Sequence, residues 1–186
     1  MRIVRPLITA LLCLCACNAS RALVLPDGLA LDPPASIDLT QQIVPSASQQ
    51  KQVLAVWDGD TLRYLIAVEK LPHDAAPPQA YFYQLVGDLR AAGTVVETGR
   101  RGEYQSTSGW RGTYVLLKSH PKTQPQADVT VAHYVTDGKV SFVAYARLVA
   151  GTPVDQLIDE TVSLFQTAHL GIPEVPAPAP ISADKP

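Results

Sequence analysis

Alternation of apolar and polar positions predicts a hairpin near the middle of the chain. Within residues 61–69 the apolar side chains fall at every second position: Leu62, Tyr64, Ile66 and Val68. A period of two is typical of a strand with one buried face. An apolar segment at 53–57 comes before it, and Asp58-Gly59 lies between the two segments, where a tight turn needs a residue that tolerates positive φ.

Other segments carry the same strand signal. They lie at residues 94–97, 103–106, 113–118, 128–135 and 139–148. Thr136-Asp137-Gly138 is a turn signal that joins the last two segments into a second hairpin. Near the start, Pro26-Asp27-Gly28 predicts a turn between two short extended pieces. The polar segment 45–52 is predicted to be flexible.

Helical spacing occurs twice. The first case has apolar residues at Phe82, Leu85, Val86 and Leu89, with Pro77-Pro78 before them and Gly93 at the position of a C-terminal cap. This pattern predicts a helix over 77–92.

The second helical stripe follows the last predicted strand. Its members are Val154, Leu157, Ile158, Thr161, Val162, Phe165 and Ala168. Thr152 is expected to cap this helix, Pro153 suits its first position, and Asp155 lies in the first turn. Gly171 is expected to end it. The stripe predicts a helix of about 17 residues that packs across the sheet.

The first residues read as an export signal. Arg2 and Arg5 precede an apolar stretch of about 10 residues, which is too short to span a bilayer. Leu14-Cys15-Ala16-Cys17 resembles a bacterial lipobox, although Cys15 stands where a smaller residue is usual. The resemblance implies that residues 1–16 are removed and that Cys17 carries lipid, so that residues 17–22 tether a periplasmic protein to the envelope.

Ordinary secretion is the alternative. Ser20-Arg21-Ala22 fits a small-x-small cleavage site, which would release a soluble protein beginning at Leu23. The three cysteines of the chain are Cys13, Cys15 and Cys17, and all of them lie before the domain predicted to begin at residue 23. A domain without thiols has no disulfide, so its stability must come from packing.

Composition sets the domain limits and excludes one class of partner. Residues 23–170 suffice for one domain, and residues 171–186 contain five prolines and no aromatic residue, which predicts a disordered tail. Without residues 1–16 the chain has 13 Lys and Arg against 17 Asp and Glu, a net charge of −4. The largest basic cluster is Arg100-Arg101, which is too small for a phosphate-tracking surface, so no nucleic acid is expected as a partner.

Chemistry-bearing residues form no catalytic or metal-binding pattern. The histidines (His73, His120, His133 and His169) have no metal-ligand spacing, and no nucleophile elbow occurs. We therefore expect no enzyme activity, no cofactor and no metal. Asp58 and Asp60 are interpreted as turn residues rather than calcium ligands. His133 lies on the same face of its predicted strand as several valines. This position predicts a semi-buried histidine that is hydrogen-bonded to the backbone.

Residue types common in protein interfaces gather in one segment. We predict partner contacts by Arg101, Tyr104, Trp110 and Arg111, because Trp, Tyr and Arg dominate interface hot spots. The alternative is a hairpin with solvated arginines and with Trp110 packed on the sheet edge. Tyr81 and Tyr83 are a second candidate surface, since Phe82 between them belongs to the buried stripe and at least one of the two should point outward.

The element order supports a family resemblance. The Pro26-Asp27-Gly28-Leu29 opening, the apolar hairpin and the closing amphipathic helix together resemble the PsbP-like family, which includes DcrB-type lipoproteins and immunity lipoproteins of antibacterial secretion systems. The resemblance implies an α+β fold, a mostly antiparallel sheet with two packed helices in an α/β/α sandwich. It also implies a non-enzymatic binding role, with an immunity protein against a periplasm-acting toxin as one form. A lipid or small-molecule carrier is the alternative.

Overall fold

The computed structural model describes residues 22–44, 51–123, 126–149 and 152–171. The predicted signal peptide, Cys17, residues 45–50 of the segment predicted to be flexible, and the residues of the predicted tail after Gly171 lie outside these ranges. Lys51 and Gln52, which belong to that predicted flexible segment, lie in a strand instead. Within these ranges, no helix combines the length and apolar character that crossing a membrane would need.

Ten strands and two helices occur in the described residues. The strands are β1 (Leu23–Val24), β2 (Leu29–Leu31), β3 (Asp38–Val44), β4 (Lys51–Asp58), β5 (Thr61–Lys70), β6 (Thr94–Gln105), β7 (Arg111–Pro121), β8 (Asp128–Thr136), β9 (Ser141–Leu148) and β10 (His169–Leu170). The helices are α1 (Pro78–Ala91) and α2 (Val154–Phe165).

Seven strands form one sheet in the order β3-β4-β5-β9-β8-β7-β6, and every neighbouring pair is antiparallel. A small second sheet has the order β1-β2-β10. The predicted α+β class with a mostly antiparallel sheet and two packed helices is therefore confirmed.

The two faces of the large sheet contact different helices. Successive side chains of a strand point to opposite faces. On β7, Tyr114 and Leu116 belong to the core cluster that includes Leu157 and Phe165 of α2. Val115 and Leu117 belong to a separate cluster with Phe82 and Val86 of α1. The sheet is thus the middle layer of an α/β/α sandwich, with an α1 face and an α2 face.

Turns that depend on neighbouring residues in the sequence agree with the predictions. Gly59 has φ 57° in the β4–β5 turn, and Gly93 has φ 84° directly after the end of α1. Both angles lie in the left-handed region that glycine adopts without steric cost. The β8–β9 turn is held by Asp137, whose Oδ1 accepts hydrogen bonds of 2.8 Å from the backbone N–H groups of Lys139 and Val140.

The observed strands differ from the predicted ones at two points. Strand β3 was not predicted, and its backbone pairs with β4 along its full length. The two short strands predicted at 94–97 and 103–106 are one strand, β6. The register shifts between Thr98 and Arg101, so β6 continues through a bulge.

The second helix is shorter than predicted. It begins at Val154 with Pro153 in the N-cap position and no side-chain cap, so Thr152 does not cap it. It ends at Phe165 rather than near Gly171. The reason is tertiary: His169 and Leu170 pair with β2, and this pairing requires extended backbone. Most of the predicted stripe is nevertheless core, as Leu157, Ile158, Thr161, Phe165 and Ala168 are all at most 1% exposed.

Candidate functional site

The four predicted contact residues separate into two pairs. Arg101 lies opposite Val115 across the β6–β7 ladder, and Arg111 lies opposite Gln105. Directly opposed residues share a face, so both arginines lie on the α1 face. Their side chains are exposed and, within the described part of the chain, have neither an ion pair nor a hydrogen bond.

Trp110 and Tyr104 point into the α2 side instead. Trp110 is 5% exposed and stacks on Phe142, with ring centroids 5.9 Å apart. Tyr104 is half-buried and packs against the same core cluster. Trp110 therefore packs against the sheet, as the alternative interpretation expected, but it lies in the core beside β9 and not at the sheet edge. Neither aromatic ring lies on the surface that carries the two arginines.

The loop between β6 and β7 fastens the end of α2. The Thr107 N–H donates to the Gln166 carbonyl at 2.9 Å, and the Ser108 hydroxyl donates to the Ala168 carbonyl at 2.5 Å. Within the loop, the Trp110 N–H donates to the Ser106 hydroxyl at 3.0 Å. These bonds hold the segment after α2 in place for its pairing with β2, a role that the sequence did not indicate.

Two tyrosines of β6 and β7 lie flat against glycines of the opposite strand. Gly102 is opposite Tyr114, and Tyr104 is opposite Gly112. A Cβ on Gly102 would lie 2.7 Å from Tyr114 Cε1, and a Cβ on Gly112 would overlap the ring of Tyr104. The missing side chains leave room for both rings to lie along the sheet and reach a histidine on β8.

That histidine is His133, which is fully buried on the α2 face. Its Nδ1 is 3.0 Å from the Tyr104 hydroxyl, and its Nε2 is 2.9 Å from Thr161 Oγ1 of α2. The sequence predicted burial correctly, but the expected backbone partners are replaced by side chains from β6 and α2. The signal was present in the sequence: Thr161 is the one hydroxyl residue in the apolar stripe of α2.

The hydrogen bonds favour one neutral tautomer. The Thr161 hydroxyl donates to the Leu157 carbonyl at 2.8 Å, so its oxygen accepts from His133 Nε2–H. Nδ1 then carries no proton and accepts from the Tyr104 hydroxyl. Burial lowers the pKa of His133 to about 3, and burial raises the pKa of Tyr104. We call Tyr104, His133 and Thr161 the His133 centre.

A second polar cluster joins β5 to α2. The Glu160 carboxylate accepts hydrogen bonds from the Tyr64 hydroxyl and the Gln156 amide and pairs with Arg63, each at 3.0 Å. Arg63 and Tyr64 are adjacent, yet both reach Glu160, because the register shifts between Val56 and Trp57 and leaves Arg63 as the extra residue of a bulge. Burial, followed by the negative charge of Glu160, raises the pKa of the Tyr64 phenol.

Tyr81 and Tyr83, the second candidate surface, point in different directions. The Tyr81 and Tyr145 hydroxyls are 2.5 Å apart, so Tyr81 faces the sheet. Tyr83 is 68% exposed, which agrees with the prediction that one of the α1 tyrosines points outward. Among the described residues, no three His, Cys, Asp or Glu side chains are grouped so that they could hold a metal ion.

The described elements thus define an antiparallel α/β/α sandwich, and the likeness to one solved structure supports this class. No family model matches the chain, and no curated protein matches it. The solution structure of cyanobacterial PsbP (CyanoP) from Synechocystis sp. PCC 6803 is similar, with a TM-score of 0.54 and 12% identity over 81% of this chain and 91% of that chain. A Pseudomonas aeruginosa protein of unknown function, PA94, matches with a TM-score of 0.36 and 11% identity over 78% and 90% of the two chains.

The chain therefore has a PsbP-like fold, as its sequence predicted. At 12% identity the likeness to CyanoP shows the fold and nothing of the ligand. The fold is compatible with a binding role that involves no catalysis.

Proposed function

We propose that this protein is a lipid-anchored envelope protein that binds a protein partner through Arg101 and Arg111. One observation carries the proposal. Both arginine side chains are exposed on the α1 face of two paired strands, and neither forms an ion pair or a hydrogen bond with a described residue. By contrast, the neighbouring Arg100 lies 3.7 Å from Asp155 of α2, on the other side of the sheet.

The spacing of the two arginines indicates what they recognise. Arg111 lies opposite Gln105, four residues along β6 from Arg101. At about 3.3 Å per residue, the two positions are about 13 Å apart. A guanidinium binds a carboxylate through two parallel hydrogen bonds, and it is held here by a strand that loses little freedom on binding. The matching partner surface presents two carboxylates at the same spacing.

Packing on the α2 face favours protein binding over the carrier alternative. A carrier needs a pocket between the sheet and a helix. The large side chains in that layer, Tyr64, Phe142, Leu157 and Phe165, are each at most 1% exposed. These side chains are closed off from solvent, which favours the exposed surface of the α1 face as the site of recognition.

The most concrete form of the proposal is an immunity role. An immunity protein needs a rigid scaffold, a periplasmic location and a surface complementary to the toxin, and it needs no catalytic residues. The partner would then be a periplasm-acting toxin whose surface carries carboxylates.

The test is capture by the mature protein. Immobilised protein is incubated with lysate of the producing bacterium and with effectors secreted by competitors, and the captured protein is identified and its affinity measured. In the double variant Arg101→Ser with Arg111→Ser we expect an affinity loss of about 30-fold or more, because truncated arginine hot spots each cost more than about 1 kcal/mol.

A matched control removes the same charge elsewhere. Arg100→Ser with Lys139→Ser also loses two positive charges, from exposed positions outside the proposed surface. We expect this control to bind like the natural protein. Equal weakening in both double variants would indicate general electrostatic attraction, and unchanged binding of the first variant would place the interface elsewhere.

The anchor is tested separately at Cys17. Each buried CH₂ of an acyl chain contributes about 0.8 kcal/mol to membrane binding, so several chains give durable attachment. We expect Cys17→Ser to move the protein from the membrane fraction to the soluble fraction. An N-terminus at Leu23 in the natural protein would instead support ordinary secretion.

A further inference from the structure

The His133 centre connects three separate elements through one titratable ring. His133 belongs to β8, Tyr104 to β6 and Thr161 to α2. Both ring nitrogens have partners, and Phe165 of α2 packs on the ring with centroids 4.9 Å apart. The docking of α2 on the sheet is therefore built around an imidazole in one defined protonation state.

A second proton on the ring would have no compensating charge. The groups that face His133 are Tyr104 from β6, Tyr114 from β7, and Thr161 and Phe165 from α2, with Ala144 opposite it on β9. None of them is a carboxylate. A proton on Nδ1 would also force the Tyr104 hydroxyl to accept instead of donate, which would leave its own proton without a partner. A buried charge without a counter-charge is strongly unfavourable.

The α1 side of the sheet lacks such a group. Its buried cluster consists of Phe82, Val86, Val96, Val115, Leu117, Ala132 and Tyr134. None of these side chains takes up a proton between pH 7 and pH 5. The two helix layers of the sandwich should therefore respond differently to acid.

We infer that the His133 centre makes the docking of α2 acid-sensitive, so that mild acidification weakens the docking of α2 on the sheet while α1 stays packed. In the released state His133 is open to water and takes up a proton. His169, on β10 after α2, has its Nδ1 3.7 Å from a carboxylate oxygen of Asp32.

Hydrogen exchange of the full mature protein tests this inference. Released His133 titrates near its ordinary pKa of 6.5, whereas docked His133 stays neutral down to about 3. The stability of docking is thus fully present above pH 6.5 and falls as the pH drops toward 3. After correction for intrinsic rates, we expect protection of the α2 amides to fall about 30-fold between pH 7.5 and pH 5, with α1 protection unchanged. An equal fall in both helices, or no fall in α2, would overturn the inference.

Two further measurements separate His133 from other acid effects. His133→Gln keeps a hydrogen-bond donor toward Thr161 and leaves the Arg63–Glu160 ion pair in place. Because glutamine takes up no proton, the protection of the α2 amides should become independent of pH in this range. His73→Gln, the same change at an exposed site, should keep the natural response. If His133→Gln does not fold, nitrogen NMR of the natural protein decides. We expect an Nε2–H signal for His133 that does not titrate while α2 is docked, and ordinary titration with α2 still protected would contradict the inference.

Discussion

Replacing Phe165 with alanine is expected to lower the free energy of unfolding by about 3 to 5 kcal/mol. Phe165 is fully buried in the layer between α2 and the sheet, and its ring lies on His133. The substitution removes the apolar area of the ring and leaves a cavity that the surrounding strands cannot close. Chemical denaturation followed by circular dichroism would measure the change at pH 7.

Tyr83→Ala is the matched control for this experiment. It also removes an aromatic ring from a helix, but Tyr83 is 68% exposed. We expect a change within about 0.5 kcal/mol, as is usual at surface positions. A change below about 0.5 kcal/mol for Phe165→Ala would show that α2 does not pack its apolar stripe against the sheet.

Features coded by neighbouring residues were predictable from the sequence. The β4–β5 hairpin has its turn glycine between two apolar segments, and α1 has Pro77 and Pro78 at its start and Gly93 after its end. Each signal lies within a few residues of the structure that it specifies. The periodicity of the stripe in α2 likewise identified Leu157 and Phe165 as core residues, because helical spacing alone places them on one face.

Features that depend on distant pairing were not predictable. Strand β3 has no clear apolar alternation of its own and is defined by its partner β4. The end of α2 is set by contacts of residues 166–170 with the β6–β7 loop and with β2, which lies near the other end of the described chain. Local helix propensity carries no information about such contacts. The helix predicted from the sequence was therefore too long and ran to the next glycine, Gly171.

The candidate site was predictable in composition but not in arrangement. Arg101, Tyr104, Trp110 and Arg111 were identified by residue type, and residue type does not report the face on which a side chain lies. The bulge in β6 places Thr98 and Arg101, which are three residues apart, on the same face of the sheet. Trp110 enters the core next to Phe142. The His133 centre joins residues 28 and 29 positions apart, and no motif spans that distance.

Gly112→Ala is expected to destabilise the protein by about 3 kcal/mol, although it adds one methyl group. A Cβ at this position would overlap the ring of Tyr104, which is directly opposite on β6. Tyr104 must then move, and His133 Nδ1 loses its hydrogen-bond donor inside the core. Overpacking and a lost buried hydrogen bond both contribute. Thermal and chemical unfolding would measure the loss.

Gly87→Ala is the control for the same chemical change. Gly87 lies inside α1, and a Cβ added there would have no neighbouring atom within 4 Å, so the methyl group meets open space. Alanine favours a helix over glycine by about 0.8 to 1.0 kcal/mol, so this variant should be more stable than the natural protein. The two substitutions should therefore change the free energy of unfolding in opposite directions if the Tyr104 ring occupies the space above Gly112. Stabilisation or no change in Gly112→Ala would mean that the ring can leave without cost, and that the hydrogen bond to His133 contributes nothing to the fold.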